Sequence, residues 1–295
     1  MICLPITRRV YSHMVGKIIL ITGATNGIGK AAAGALAKQG AHVLIVGRNS
    51  QKCAETVAEI RRNTGNQAVE AFTADLSSMA EVRRLADQVK AAYSRLHVLL
   101  NNAGAYYATR QMSADGYEMS FALNHLSYFY LTVLLLDLLK ASAPSRIINV
   151  SSSAHMFAKL NLTDPHNPKR YNGLRIYGET KLANLAFTYA LARRLQGTGV
   201  TANAMHPGLV RTGFGHNTNG LMTQIFSVLQ RFGLTPEQGA DTAVYLASSP
   251  EVEGVTGKYF TKRQAIASSR AAHDQQTGEA LWALSERLIA EKQPA

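Results

Sequence analysis

The chain has 295 residues, 46% hydrophobic and 17% charged, with a net charge of +12. These values exclude a disordered or collagen-like polymer and leave enough apolar material for a large core. Two cysteines, Cys3 and Cys53, form neither a CxxC pair nor a disulfide framework, so a reducing, cytoplasmic setting is expected. The positive balance favours anionic partners such as phosphorylated cofactors. The basic residues are scattered or paired (Arg8-Arg9, Arg61-Arg62, Arg83-Arg84, Arg193-Arg194), so no nucleic-acid partner is expected. The first seventeen residues lack a long apolar run, and neither a signal peptide nor a transmembrane anchor is expected.

In chain order, "KIILIT" (17–22) reads as a strand entering a Gly-rich turn, and "GKAAAGALAKQG" (29–40) as a helix closed by Gly40. A second strand covers 41–48, a helix 50–64 and a third strand 68–73. Ser77 or Ser78 is expected to cap a helix over 79–93, with Glu81 in its first turn. "LHVLLNNAG" (96–104) is a fourth strand ending in a polar turn. A long apolar helix runs from about Tyr117 to Leu139, and "RIINVSSS" (146–153) supplies a fifth strand. An Asn-, Pro- and Gly-rich stretch (161–173) precedes a helix containing "IYGETKLANLAF" (176–187). "VTANAMHPG" (200–208) is a sixth strand, 216–232 an amphipathic lid, and 235–247 a helix capped by Thr235 with Pro236 at its first position. "GKYF" (257–260) gives a seventh strand, and the tail after about Ala265 is expected to be peripheral. Alternating strands and helices predict a single Rossmann-like, doubly wound α/β domain over 1–295. Its core spans about 16–260, with a seven-stranded parallel sheet and helices on both faces.

Three features carry chemistry. "TGATNGIG" (22–29) lies between the first strand and the first helix, where glycines let the backbone approach a pyrophosphate and the helix N-terminus faces its charge. The second strand ends in Gly47-Arg48 without a carboxylate. An acid there would bind the adenosine ribose hydroxyls, whereas Arg48 can bind a 2′-phosphate, so NADP(H) is expected over NAD(H). Tyr177 and Lys181 stand four residues apart and share a helical face. An ammonium beside a phenol, whose ordinary pKa is about 10, is expected to lower it into a useful range. His125, His155 and His206 lack metal-ligand spacing and read as packing or loop residues, with His155 a candidate for the cleft wall.

The spacing Gly23, Gly27, Gly29 resembles the short-chain dehydrogenase/reductase family. "NNAG" (101–104), "NVSS" (149–152), "YGETK" (177–181) and "HPGLVRT" (206–212) follow in that family's order. The resemblance covers about 16–260. It implies catalytic roles for Asn124, Ser152, Tyr177 and Lys181. Ser152 would orient the substrate oxygen, Tyr177 would move the proton, and Lys181 with a water on Asn124 would relay it. It implies cofactor contacts from Gly23, Thr25, Asn26, Gly27, Ile28, Gly29, Arg48, Asp75, Leu76, Asn102, Ala103, Gly104, Tyr177, Lys181, Pro207, Gly208, Val210 and Thr212. Asp75 reads equally as a local cap. No metal site is implied.

The long gap between Ser152 and Tyr177, with "TGATNGIGK", "NHLSYFYLT" and "YGETKLANLAF", resembles the retinol-dehydrogenase-like branch. That implies hydride transfer between NADP(H) and a lipophilic alcohol or carbonyl. Tyr106, Tyr107, Met156, Phe157, Phe214, Leu221 and Phe226 are candidate pocket walls. Reduction of an activated C=C bond, as in protochlorophyllide reductases, and a non-catalytic NADP(H)-sensing role stand as alternatives. Peripheral membrane contact stays open. Assembly as a homodimer or homotetramer, through the helices carrying Asn124 and Tyr177, is what the family pattern implies.

Overall fold

The computed structural model describes residues 14–164, 171–210 and 233–292. The lid segment 216–232, and with it Thr212, Phe214, Leu221 and Phe226, lies outside the described residues. The strands are β1 (Ile18–Thr22), β2 (His42–Gly47), β3 (Val69–Thr73), β4 (Val98–Asn101), β5 (Ser145–Val150), β6 (Val200–Met205), β7 (Tyr259–Thr261) and β8 (Gln264–Ile266). The helices are α1 (Gly27–Lys38), α2 (Ser50–Thr64), α3 (Met79–Ala92), α4 (Met119–Ala141), α5 (Gly173–Arg194), α6 (Pro236–Ser248) and α7 (Gln275–Ala290).

One sheet has the order β3-β2-β1-β4-β5-β6-β7-β8. Every pairing from β3 to β7 is parallel, and β7 with β8 is antiparallel. The sequence predicts seven parallel strands, and the structure has an eighth, antiparallel one. The eighth is a short return strand whose three residues are exposed, so it carries no apolar signature. Alternate residues of each inner strand feed opposite faces. Ile19, Ile21, Val43 and Ile45 pack under α1, α2 and α6. Leu20, Leu44, Leu99 and Ile147 pack under α3, α4, α5 and α7. Burial on both faces explains why these strands read as continuous apolar runs. The winding reverses between β1 and β4, and the crevice at their carboxyl ends is where such a sheet binds ligands.

Three local expectations change. Ser78 occupies the N-cap of α3, but its side chain makes no capping bond. Instead the Met79 amide donates to Asp115 Oδ2 at 2.7 Å, a carboxylate supplied from 36 residues away. Helix α5 begins at Gly173, a turn ahead of Tyr177, because the Asn172 side chain caps it through the Arg175 amide. The tail is not peripheral. Asp274 caps α7, whose Leu281, Leu284, Leu288 and Ile289 are buried against α4 and α5. Trp282 sits edge-on to Phe129 with ring centroids 4.9 Å apart, and the Arg194 guanidinium stacks on it at 4.0 Å. Helix α4 is apolar enough by composition to cross a membrane, yet 67% of its most apolar window is buried inside the fold.

Candidate active site

The Gly-rich turn leaves β1 at Gly23, which has φ +65° and would drive a Cβ to 2.8 Å from Ala103 Cα. Gly29 is closed in from two sides, since a Cβ there would lie 2.5 Å from both Asn102 Nδ2 and the Gly23 carbonyl. Asn102 donates from Nδ2 to the Thr22 and Gly23 carbonyls, while Thr22 Oγ1 accepts the Asn102 and Ala103 amides. Thus "NNAG" braces the glycine turn through Asn102 and Ala103. Asn26 precedes α1 without a side-chain cap, and no acid lies in the first turn. The first-turn amides of α1 are left for a ligand, and nothing negative competes with a phosphate there. Ile28 and Val210 converge on Gly239 of α6, which joins the start of α1 to the segment after β6.

At the end of β2, a Cβ on Gly47 would meet Thr25 Cγ2 at 2.5 Å and Cys53 Sγ at 2.8 Å. Thr25 therefore fills the space where a longer residue at 47 would stand. Arg48 follows, exposed at the sheet's carboxyl edge. Asp75 Oδ1 accepts the Ser77 amide and hydroxyl at 2.9 and 2.7 Å, so it caps locally, and Leu76 is buried beside it. Pro207 is half-buried, and Gly208, at φ +82°, donates its amide to His206 Nδ1. This donor pairing requires a lone pair on that nitrogen.

The second half of the site gathers at the ends of β4 and β5. Asn124 lies fully buried in a π turn, Ala122–Leu126, inside α4. Its Oδ1 accepts the Ala105 amide and its Nδ2 donates to the Ala105 carbonyl, both at 2.9 Å, and to Thr180 Oγ1 at 3.2 Å. Gly104 faces it across the cleft, with room for a Cβ only 3.1 Å from Asn124 Oδ1 and 3.4 Å from Lys181 Nζ. Lys181 is buried and donates to the Val150 carbonyl at 3.0 Å. Its ammonium stands 5.6 Å from the Tyr177 ring centre and 5.7 Å from that of Tyr128.

The three serines after β5 separate cleanly. Ser151 is buried and donates to the Lys181 carbonyl at 2.8 Å. Ser153 is exposed at the start of a short 3-10 turn. Ser152 Oγ accepts the Ala154 amide at 3.2 Å and is hydrogen-bonded to Tyr177. With Oγ accepting from Ala154, its single proton is directed at the Tyr177 oxygen.

Burial pushes the Tyr177 phenol up to about 12, with the Ser152 hydrogen bond pulling the other way. Burial also brings Lys181 down to about 7. The expected lowering of the phenol by Lys181 is therefore not a property of the folded chain by itself, because desolvation acts on both groups and disfavours either charge. Tyr177 is thereby held as the neutral phenol.

Of the candidate walls, Tyr106 is buried with its ring 6.4 Å from Tyr177 and edge-on to it. Tyr107 is buried and its carbonyl accepts the Tyr171 hydroxyl at 3.0 Å. Met156 and Phe157 are exposed, Phe157 at 96%. His155 is buried, 1% exposed, in the turn that follows Ser152. Sequence reasoning passed over Tyr128 and Thr180. Each sits next to a motif residue in the helical repeat, Tyr128 four after Asn124 and Thr180 one before Lys181, and that adjacency was the available signal.

Residues 17–221 match the family model described as short chain dehydrogenase. Among curated proteins, the chain is 41% identical to retinol dehydrogenase 12 of Mus musculus, covering 93% of this chain and 86% of that one. It is 40% identical to retinol dehydrogenase 14 of Homo sapiens, covering 94% and 87%. Among solved structures, an uncharacterised protein from Mycobacterium paratuberculosis superimposes with a TM-score of 0.76 at 33% identity, over 95% of this chain and 96% of the other. The NADP complex of Pseudomonas aeruginosa RhlG gives 0.68 at 30% identity, over 85% and 96%.

Proposed function

The chain belongs to the short-chain dehydrogenase family of oxidoreductases, and within it we propose an enzyme that moves a hydride between NADP(H) and a lipophilic alcohol or carbonyl compound. The observation that carries this reading is the convergence of Ser152, Tyr177, Lys181 and Asn124 across from Gly104, beside a glycine turn closed to any Cβ. When bound, the nicotinamide would supply two electrons and a hydrogen as hydride to the carbonyl carbon. The Ser152 hydroxyl would hold the carbonyl oxygen, and Tyr177 would protonate it as the C–O bond becomes an alcohol. The proton given up by Tyr177 would be replaced through Lys181 and Asn124. Gly23, Gly27, Gly29 and the start of α1 would hold the pyrophosphate, and Arg48 a 2′-phosphate.

Retinal-like substrates are suggested by the relatives, and NADP(H) by Arg48 and by neighbours solved with NADP or NADPH. Titrating purified protein with NADPH and NADH tests the cofactor: NADPH binds at least about tenfold more tightly, and Arg48→Glu reverses or abolishes the preference. An unchanged preference in that variant would remove Arg48 from the site. A panel of all-trans-retinal, aliphatic aldehydes and small hydrophilic ketones tests the substrate class. Turnover confined to the hydrophilic members would contradict it.

A further inference from the structure

Outside the four residues of the proton path, one buried side chain touches the reacting serine's backbone from a place the family motifs do not mark. His155 lies three residues after Ser152 and is 1% exposed. Its Nδ1 is 2.6 Å from the Ser152 carbonyl, and its Nε2 is 3.2 Å from the Ser269 amide. A carbonyl can only accept and a backbone amide can only donate. The ring is therefore neutral, with the proton on Nδ1 and a lone pair on Nε2. The Tyr259 ring meets it edge-on at 5.1 Å, and burial opposes its protonation more than the bond to the Ser152 carbonyl favours it. The segment it reaches is itself pinned: Ser268 Oγ bonds the Tyr189 hydroxyl at 2.7 Å and His273 Nε2 at 3.0 Å, and His273 stacks on Tyr189.

We propose that His155 is a positioning residue for the Ser152 hydroxyl, clamping the Ser152–Ala154 turn to the strap Ser268–His273 that leads into α7. Within the turn the His155 amide donates to the same Ser152 carbonyl at 3.2 Å, and the Ala154 carbonyl lies close against Gly178 of α5; the His155 ring is what ties the turn to the strap, through the Ser269 amide. Ser152 Oγ accepts the Ala154 amide at 3.2 Å, and the following residues Met156 and Phe157 are exposed. With the Ser152 carbonyl held by the His155 ring and its Oγ held by the Ala154 amide, the hydroxyl keeps facing Tyr177, beside which a substrate oxygen would lie. Without the clamp the turn can rotate, and an oxygen donor displaced by a fraction of an ångström is a loss in rate, not in binding. This proposal rests on the reading of Ser152 as the oxygen donor.

The test uses two conservative variants that separate the two ring nitrogens. An Asn amide places its donor near Nδ1, and a Gln amide places its polar atoms near Nε2. With NADPH and all-trans-retinal, His155→Leu lowers kcat about tenfold or more while KM and the NADPH dissociation constant stay within about twofold. His155→Asn recovers most of kcat because it can still donate to the Ser152 carbonyl, and His155→Gln does not. Equal kcat in all three variants, or a KM rise with kcat unchanged, would overturn the proposal. Hydrogen exchange at the Ala154 amide reads the same clamp without turnover. Protection falls in His155→Leu and is kept in His155→Asn. Protection unchanged in His155→Leu refutes the clamp, even in a wild-type protein that turns over no carbonyl on the panel. Such inactivity would count against the enzymatic reading alone.

Discussion

Lys181 is 3% exposed, and its ammonium donates to the Val150 carbonyl with two tyrosine rings beside it. Burial brings its pKa from 10.5 to about 7. Between those values the unfolded chain binds the proton and the folded chain does not, so stability rises with pH across that range. The titrations that oppose it, at Cys53 and Tyr177, begin near their ordinary values of 9.0 and 10.0. Histidines with lowered pKa act below 6.5. The interval from pH 7 to 9 therefore reports chiefly on Lys181. Thermal melts of the wild type should rise across it. Lys181→Met should melt higher than wild type at pH 7, by the equivalent of a few kcal/mol, with a flatter dependence and no turnover. A variant that melts lower at pH 7 would contradict the burial cost. Glycine carries the other residue-scale prediction. Gly29→Ala would thrust a methyl to 2.5 Å from a backbone carbonyl, costing about 1–3 kcal/mol and weakening NADPH binding, read by melts and titration. The Tyr177–Lys181 pair was legible from its four-residue spacing. The direction of the phenol's shift is not, because it comes from burial, which depends on neighbours such as Tyr106 that only the folded chain brings near.

Helix boundaries divide by where their capping partner lies. Thr235 and Pro236 announce α6, and the structure completes a capping box with Gln238: the Thr235 amide donates to Gln238 Oε1 at 2.9 Å and the Gln238 amide to Thr235 Oγ1 at 3.3 Å. Because α6 packs on α1 through Gly239 and Ile28, Thr235→Ala should lower stability by about 1 kcal/mol, read in denaturant melts, with kcat little changed. Helix α3 starts at Met79 after Ser78 as the sequence predicts, but the bond that caps it comes from Asp115, which is remote in sequence. Helix α7 was missed for a different reason. It follows the last parallel strand, outside the strand–helix alternation that marks the core, and its apolar series Leu281, Leu284, Leu288 is interrupted by Ser285, Glu286 and Arg287. Its pairing is specific. Glu279 meets Arg193 and Arg194, Ser285 bonds His125 at 3.0 Å, and the Tyr117 hydroxyl donates to the Leu288 carbonyl. Leu281→Ala should cost about 2–5 kcal/mol in denaturant unfolding.

At the scale of the whole molecule, the sheet order places β1 beside β4, so the glycine turn and the "NNAG" turn close on one another while β5 brings Ser152 alongside. The alternation of apolar strands and helices made that architecture readable. What the chain does with its outer faces was not readable, since it depends on a helix after the last parallel strand. Helix α7 covers α4 and α5, the pair through which the family pattern implied assembly. The expected outcome is a chain that does not dimerise through that face, checked by sedimentation equilibrium of the wild type. Leu284→Asp, which places a charge at a 5% exposed position, should associate or unfold. The central claim is that a proton leaves Tyr177 for a carbonyl oxygen held by Ser152. Its most direct test is NADPH oxidation with all-trans-retinal, followed at the reduced nicotinamide band in wild type and Tyr177→Phe. The account predicts a rate lower by about 10²–10⁴ in the variant, with NADPH still bound. Turnover in Tyr177→Phe equal to wild type would contradict it.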